Sequence, residues 1–94
     1  MSLRYTPQAR LDIENIADYI AERNPAAAKR VGERIRRTAE LLAEFPFIGH
    51  TGRLPGTQEF VIPGPPYIII YRVDPTEHAI DILGVRGEKV SVLQ

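Results

Sequence analysis

The chain of 94 residues contains no cysteine. Disulfide staples, zinc–thiolate sites and cysteine nucleophiles are therefore excluded. It also has no apolar run approaching the roughly 20 residues that a membrane helix needs. Its opening residues, Met1 to Tyr5, carry no apolar signal-peptide core. A cytoplasmic protein without membrane association is the expectation. An excess of one charge is missing too, because 12 basic residues balance 12 acidic ones. The balance holds locally, with 8 basic and 7 acidic residues over 1–47 and 4 and 5 over 48–94. Proteins that grip nucleic acid unaided usually show a basic excess, so the charge weighs against a nuclease acting mainly on RNA. His50 and His78 are the only histidines. With no carboxylate cluster beside them, neither a metal site nor a cofactor is expected.

Apolar residues make up 44% of the chain and charged residues 26%, an ordinary globular balance. Neither a repeat nor a low-complexity stretch interrupts it. The length fits one domain spanning residues 1–94, with a thin core that buries roughly 60–70% of the surface of the unfolded chain. The order of patterns reads strand, helix, helix, loop, then three or four strands, an α+β arrangement.

Leu3–Tyr5 reads as a short strand. Thr6-Pro7 then opens a helix, with the hydroxyl at the N-cap and proline at the first helical position. Ala9, Ile13, Ile16, Ala17 and Ile20 recur at helical spacing, which leaves Asp12, Glu14 and Asp18 facing water. Asn24-Pro25 repeats the start signal. Ala28, Val31, Ile35, Thr38 and Leu42 form the second stripe, which carries that helix to about Glu44. The short turn between them predicts an antiparallel helix hairpin. Lys29, Arg30, Arg34, Arg36 and Arg37 crowd the second helix. A nucleic-acid patch is one reading of them; a solvated face with Glu33–Arg37 and Arg36–Glu40 pairs is the favoured one.

Glycines and prolines punctuate a loop from Phe45 to Pro55. Beyond it, Gln58–Pro63, Tyr67–Val73 and Ala79–Val85 are rich in Val, Ile and Tyr and are separated by turn signals, so they read as an antiparallel meander. Pairing Pro63 with Tyr67 and Val73 with Ala79 sorts the side chains onto two faces. Phe60, Ile62, Ile68, Ile70, Ile80 and Ile82 then meet the helices. Glu59, Val61, Tyr67, Ile69, Tyr71, Asp81 and Leu83 occupy the open face, with Glu59, Tyr71 and Asp81 in one row and no cation among them.

Gly49-His50-Thr51-Gly52-Arg53, then Gly56-Thr57-Gln58-Glu59-Phe60-Val61, then Pro66-Tyr67-Ile68-Ile69-Ile70-Tyr71-Arg72-Val73 resemble the RelE/ParE toxin superfamily. With the preceding strand and helix hairpin, the resemblance covers nearly the whole chain. It implies a toxin of a type II toxin–antitoxin system, blocked by an antitoxin that wraps it. RelE-like members cut messenger RNA in the ribosome, whereas ParE-like members poison DNA gyrase and lack the nuclease residues. RelE-like toxins place an arginine early in the penultimate strand, where this chain has Ile68. Their last strand often leads into a His-Gly pair, where this chain has Arg86-Gly87, and the C-terminal aromatic of several nuclease members is missing. These departures point to the ParE-like branch, with gyrase as the implied target and no catalytic role.

The resemblance implies a ParD-like antitoxin partner in a hetero-oligomeric complex, with operator DNA reached only through the antitoxin. Arg53, in its glycine-bounded loop, and Arg86 and Lys89, at the end of the last strand, are the candidate target contacts; Gly84 offers a bulge that turns Arg86 to the open face. Arg53 reads equally well as a structural bridge, and Arg86 as a plain strand-end cation. Were the chain a RelE-like nuclease instead, Arg53, Arg86, Lys89 and His50 would be its catalytic candidates. Leu11, Tyr19, Leu41, Phe45 and Phe47, partly outside the core stripes, are candidates for antitoxin contact, together with Glu59, Tyr71 and Asp81 on the open face.

Overall fold

The computed structural model describes residues 1–64 and 67–87. Its elements run β1 (Ser2–Tyr5), α1 (Pro7–Ala21), α2 (Pro25–Glu44), β2 (His50–Thr51), β3 (Gln58–Ile62), β4 (Tyr67–Asp74) and β5 (Ala79–Gly87). Both helix starts follow their local chemistry. Thr6 Oγ1 accepts from Ala9 N at 3.1 Å, Asn24 Oδ1 accepts from Ala27 N at 3.1 Å, and each cap is followed by proline. On α2 the buried positions are Ala28, Gly32, Ile35, Ala39 and Leu42. They alternate spacings of four and three, the rhythm of one helix face.

Five strands form one sheet in the order β1-β5-β4-β3-β2. The meander β3-β4-β5 is antiparallel as expected, but the sheet is larger than three or four strands. β1 adds a parallel edge beside β5, and the two-residue β2 pairs with β3 from within the predicted loop. The helix hairpin covers one face. Ile35, Leu42, Ile69, Tyr71, Ile80 and Ile82 are fully buried there. Each such aliphatic side chain contributes roughly 1.5–3 kcal/mol by leaving water.

The register differs by one residue from the predicted pairing. Ile62, not Pro63, faces Tyr67, and Asp74, not Val73, faces Ala79. One residue of slip exchanges faces. Tyr67, Ile69 and Tyr71 therefore lie under the hairpin with Phe60, Ile62, Ile80 and Ile82, while Ile68 and Ile70 turn to the open face. The physical reason is that Pro63, with no N–H to give the ladder, belongs to the turn after β3, while β4 runs on to Asp74. Between Ile70 and Tyr71 the ladder shifts, because Ile70 faces Gly84 and Tyr71 faces Ile82. Leu83 is thus the extra residue of a bulge, not an open-face residue, and Thr6 Oγ1 donates to its carbonyl at 3.2 Å.

Asp12, predicted to face water, instead anchors α1 to this bulge. Its Oδ2 accepts from Val85 N at 3.0 Å and its Oδ1 from Gln8 Nε2 at 2.8 Å. A side chain at Gly84 would meet the same carboxylate at 3.0 Å, so glycine is what lets helix and bulge approach this closely. The predicted Glu33–Arg37 and Arg36–Glu40 pairs are not among the ion pairs of the described residues.

Candidate functional site

The open face of the sheet carries a row of charge that alternation along each strand puts there. Arg4 of β1, Asp81 of β5 and Arg72 of β4 stand side by side in register. Asp81 is buried, with 6% of its surface exposed. Its Oδ1 accepts from Arg4 Nε at 2.6 Å, and its Oδ2 accepts from Arg4 Nη2 at 3.1 Å and Arg72 Nη2 at 3.0 Å. The hydrogen bonds from Arg4, then the one from Arg72, hold the Asp81 carboxyl below its usual range, against the opposing effect of burial. Asp74 joins the row through Arg4 at 3.2 Å and Glu77 through Arg4 at 3.8 Å. The expectation that this face lacks cations is thus corrected. Arg72 reaches this face through the observed β4–β5 register and Arg4 through the parallel pairing of β1 with β5.

The next row holds His50, Glu59 and Ile70 in register. Glu59 is also buried, at 7% exposure. Its Oε1 accepts from Arg86 Nη2 at 3.3 Å and its Oε2 from the backbone N of Arg53 at 3.2 Å. Arg86 stands opposite Ile68 on the open face, where the Gly84 bulge was expected to direct it. Glu59 therefore joins the two arginines singled out from sequence: it binds one by its guanidinium and the other by its main chain. The Arg53 side chain remains exposed. Its loop is closed by Gly52 N donating to Thr57 O at 2.9 Å and Thr57 Oγ1 donating to Leu54 O at 2.7 Å. Gly56 takes φ +79 at the tip, a region open to glycine at little cost.

Tyr71, a candidate for antitoxin contact on the open face, is instead wholly buried beneath the hairpin. Its hydroxyl donates to Pro46 O at 2.9 Å and accepts from Gly49 N at 3.0 Å. Burial raises its phenol above the usual value, and the Gly49 N–H acts in the opposite sense. The role of Tyr71 is to pin the chain leaving α2, which sets where β2 and the Arg53 loop begin.

The other candidates are placed as follows. Leu11, Tyr19, Leu41, Phe45 and Phe47 are all exposed, as are Ile48 and Leu54, which the sequence reading did not single out. His50 is exposed beside Glu59, and His78 is exposed in the β4–β5 turn. Lys89 lies outside the described residues. Among the described residues no group of three or more His, Asp or Glu side chains is placed to hold a metal, and no helix is long and apolar enough to cross a membrane.

Comparison with known proteins gives a consistent answer. Residues 3–89 match the family model of the ParE toxin of the type II toxin–antitoxin system parDE. Y4kP of Sinorhizobium fredii, named as a candidate toxin, is 34% identical over 91 residues, covering 97% of this chain and 95% of its own. Toxin RelE2 of Caulobacter vibrioides is 39% identical over 70 residues, covering 73% and 76%. Among solved structures, the chromosomal ParDE toxin–antitoxin system of P. aeruginosa contains a chain with the same fold, at TM-score 0.83 and 23% identity, covering 95% of this chain and 97% of that one. With a family model over nearly its full length and a relative this similar end to end, the chain belongs to the ParE toxin family of type II toxin–antitoxin systems.

Proposed function

We propose that this toxin inhibits DNA gyrase by protein–protein contact, does not cleave RNA, and is neutralised by a ParD-like antitoxin. One observation carries the reading. Each arginine that the described strands place on the open face is already engaged by a buried carboxylate, Arg4 and Arg72 by Asp81 and Arg86 by Glu59. Metal-free RNA cleavage requires cations that meet the growing charge on phosphate, and a group that takes the 2′-hydroxyl proton. Here the positive charge is met from within the protein. Ile68 stands where RelE-like toxins carry an arginine. Arg53, with exposed Leu54 beside it, suits contact with a protein surface, and Arg86 and Lys89 complete the proposed target contacts. For the antitoxin, Leu11, Tyr19, Leu41, Phe45 and Phe47 supply exposed apolar area, whereas Glu59 and Asp81 are buried against their arginines and offer a partner little surface.

A second reading is favoured by what meets Glu59: the Arg86 guanidinium, the Arg53 main chain and the register partner His50. In a RelE-like nuclease Arg53, Arg86, Lys89 and His50 would be the catalytic candidates, and the toxin name of the Caulobacter relative fits that reading.

The test is binding of the antitoxin-free chain to immobilised gyrase subunits and, separately, to ribosomes. Saturable binding to gyrase that is lost in Arg53→Glu is the expected result. Binding to ribosomes alone would select the nuclease reading.

A further inference from the structure

Strand β5 changes the face of its side chains partway along its length. Up to Ile82 its odd residues take the open side, since Asp81 pairs with Arg72. Beyond Leu83 its even residues do, since Gly84 pairs with Ile70 and Arg86 with Ile68. The bulge residue Leu83 makes the exchange. An uninterrupted ladder from the Tyr71–Ile82 pair would set Leu83 against Ile70 and Arg86 against Tyr67. Arg86 would then point to the core side, where Tyr67 packs, and would be cut off from Glu59 on the other face. The observed register instead buries Val85 in the core and brings Arg86 Nη2 to 3.3 Å from Glu59 Oε1. One inserted residue thus decides on which face Arg86 stands.

What fastens the bulge comes from the start of α1. β1 ends at Tyr5, opposite Ile82, so among the described residues β5 has no strand on that side from Leu83 onward. Side chains of the helix start close this edge. Thr6 Oγ1 donates to Leu83 O at 3.2 Å, and Asp12 Oδ2 accepts from Val85 N at 3.0 Å. Gln8 Nε2 holds the other Asp12 oxygen at 2.8 Å. A Cβ at Gly84 would lie 3.0 Å from Asp12 Oδ2, so the bare glycine and the carboxylate fit each other. We infer that Asp12 is a positioning residue: it fixes the bulge at Leu83, and through the bulge it sets Arg86 on the open face beside Glu59 and the Arg53 loop. Its hydrogen-bond partners among the described residues are Gln8 and Val85, so it reaches Arg86 only through β5. Contact between Arg86 and gyrase rests on the proposed function; the placing of Arg86 by Asp12 does not.

The test compares two changes at Asp12 in the antitoxin-free chain. Asp12→Asn keeps an oxygen for Val85 N, whereas Asp12→Leu keeps the bulk and offers none. Amide hydrogen exchange at Val85 reports the bond. The Arg86 side-chain Nε–Hε signal, assigned by its loss in Arg86→Lys, reports the placing. In Asp12→Leu, Val85 is expected to exchange roughly tenfold or more faster and the Arg86 signal to shift. In Asp12→Asn both stay near wild type. Gly84→Ala presses on the same contact from the strand, is expected to shift Arg86 likewise, and carries the comparison if Asp12→Leu does not fold. Ile35→Val, in the core under α2, lowers Tm and leaves the Arg86 signal in place; a merely structural role for Asp12 predicts that Asp12→Leu does the same. An Arg86 signal unmoved by Asp12→Leu and Gly84→Ala, or moved as far by Asp12→Asn as by Asp12→Leu, overturns the inference. Binding to immobilised gyrase is read on the same variants. It is expected to weaken in Asp12→Leu by the factor seen in Arg86→Ala, with no further loss when the two are combined. A displaced Arg86 with unchanged gyrase binding would remove Arg86 from the target contacts and leave its placing by Asp12 standing, so the two failures are separate results.

Discussion

Substituting Glu59 by glutamine tests the neutralisation of the open face. The wild-type carboxylate is nearly closed to solvent and accepts one bond from Arg86 and one from the Arg53 main chain. Glutamine keeps the shape and one acceptor oxygen but removes the charge. A hydrogen bond to a charged partner contributes about 1.5–3 kcal/mol. The Arg86 side chain is a third exposed, so water recovers part of that loss. The expected destabilisation is about 1–2 kcal/mol, or a fall in Tm of roughly 5–15 °C for a domain of this size. Thermal unfolding followed by circular dichroism measures it. The same change frees one positive charge, so binding of single-stranded RNA at low salt should strengthen in Glu59→Gln and strengthen further with Asp81→Asn. An unchanged Tm together with unchanged RNA binding would falsify the claim that Glu59 holds and neutralises Arg86.

Three further perturbations probe the scaffold around that site. Tyr71→Phe leaves Gly49 N and Pro46 O without their partner and should cost about 2 kcal/mol by chemical denaturation; because burial raises the phenol's pKa, wild-type stability from this group should also fade as pH climbs above about 10. Asp81→Asn should lower Tm at pH 7. The Asp81 pKa is depressed in the folded protein, so its contribution is present above the unfolded value and lost as pH falls, and the gap to wild type should close below about pH 4; a gap independent of pH would contradict the assigned ion pairs. Gly49→Ala places a methyl against the Tyr71 hydroxyl and 2.9 Å from the Glu59 carbonyl oxygen, a clash with backbone that should cost about 1–3 kcal/mol; full stability in this variant would show that the loop can shift.

Much of the fold is written locally. Thr6-Pro7 and Asn24-Pro25 mark both helix starts because cap chemistry is contained within three residues, and α2 ends at Glu44 as its stripe predicts. The strands are legible from their β-branched runs. What is not local is lost. The pairing of β3 with β4 depends on the turn conformation, and a shift of one residue at Pro63 is enough to exchange Tyr71 between core and surface. β1 pairs with β5 across nearly the whole chain, so the Arg4–Asp81 contact has no signal in sequence spacing. Asp12 reads as a solvent residue by helical periodicity, yet the Gly84 bulge opens an N–H toward it. The candidate site shows the same division. Arg53 and Arg86 stand out through their glycines, whereas Glu59 as the residue between them follows only from the sheet register.

Action on gyrase and not on message is the proposed function of this ParE-family toxin. It is tested most directly by adding the purified, antitoxin-free chain to a DNA gyrase supercoiling assay and, in parallel, to translating ribosomes with a defined messenger RNA. Expected is dose-dependent loss of supercoiling, relieved by the antitoxin, with the message intact. Cleaved message with unaffected supercoiling would contradict it and make Arg53, Arg86 and His50 catalytic candidates.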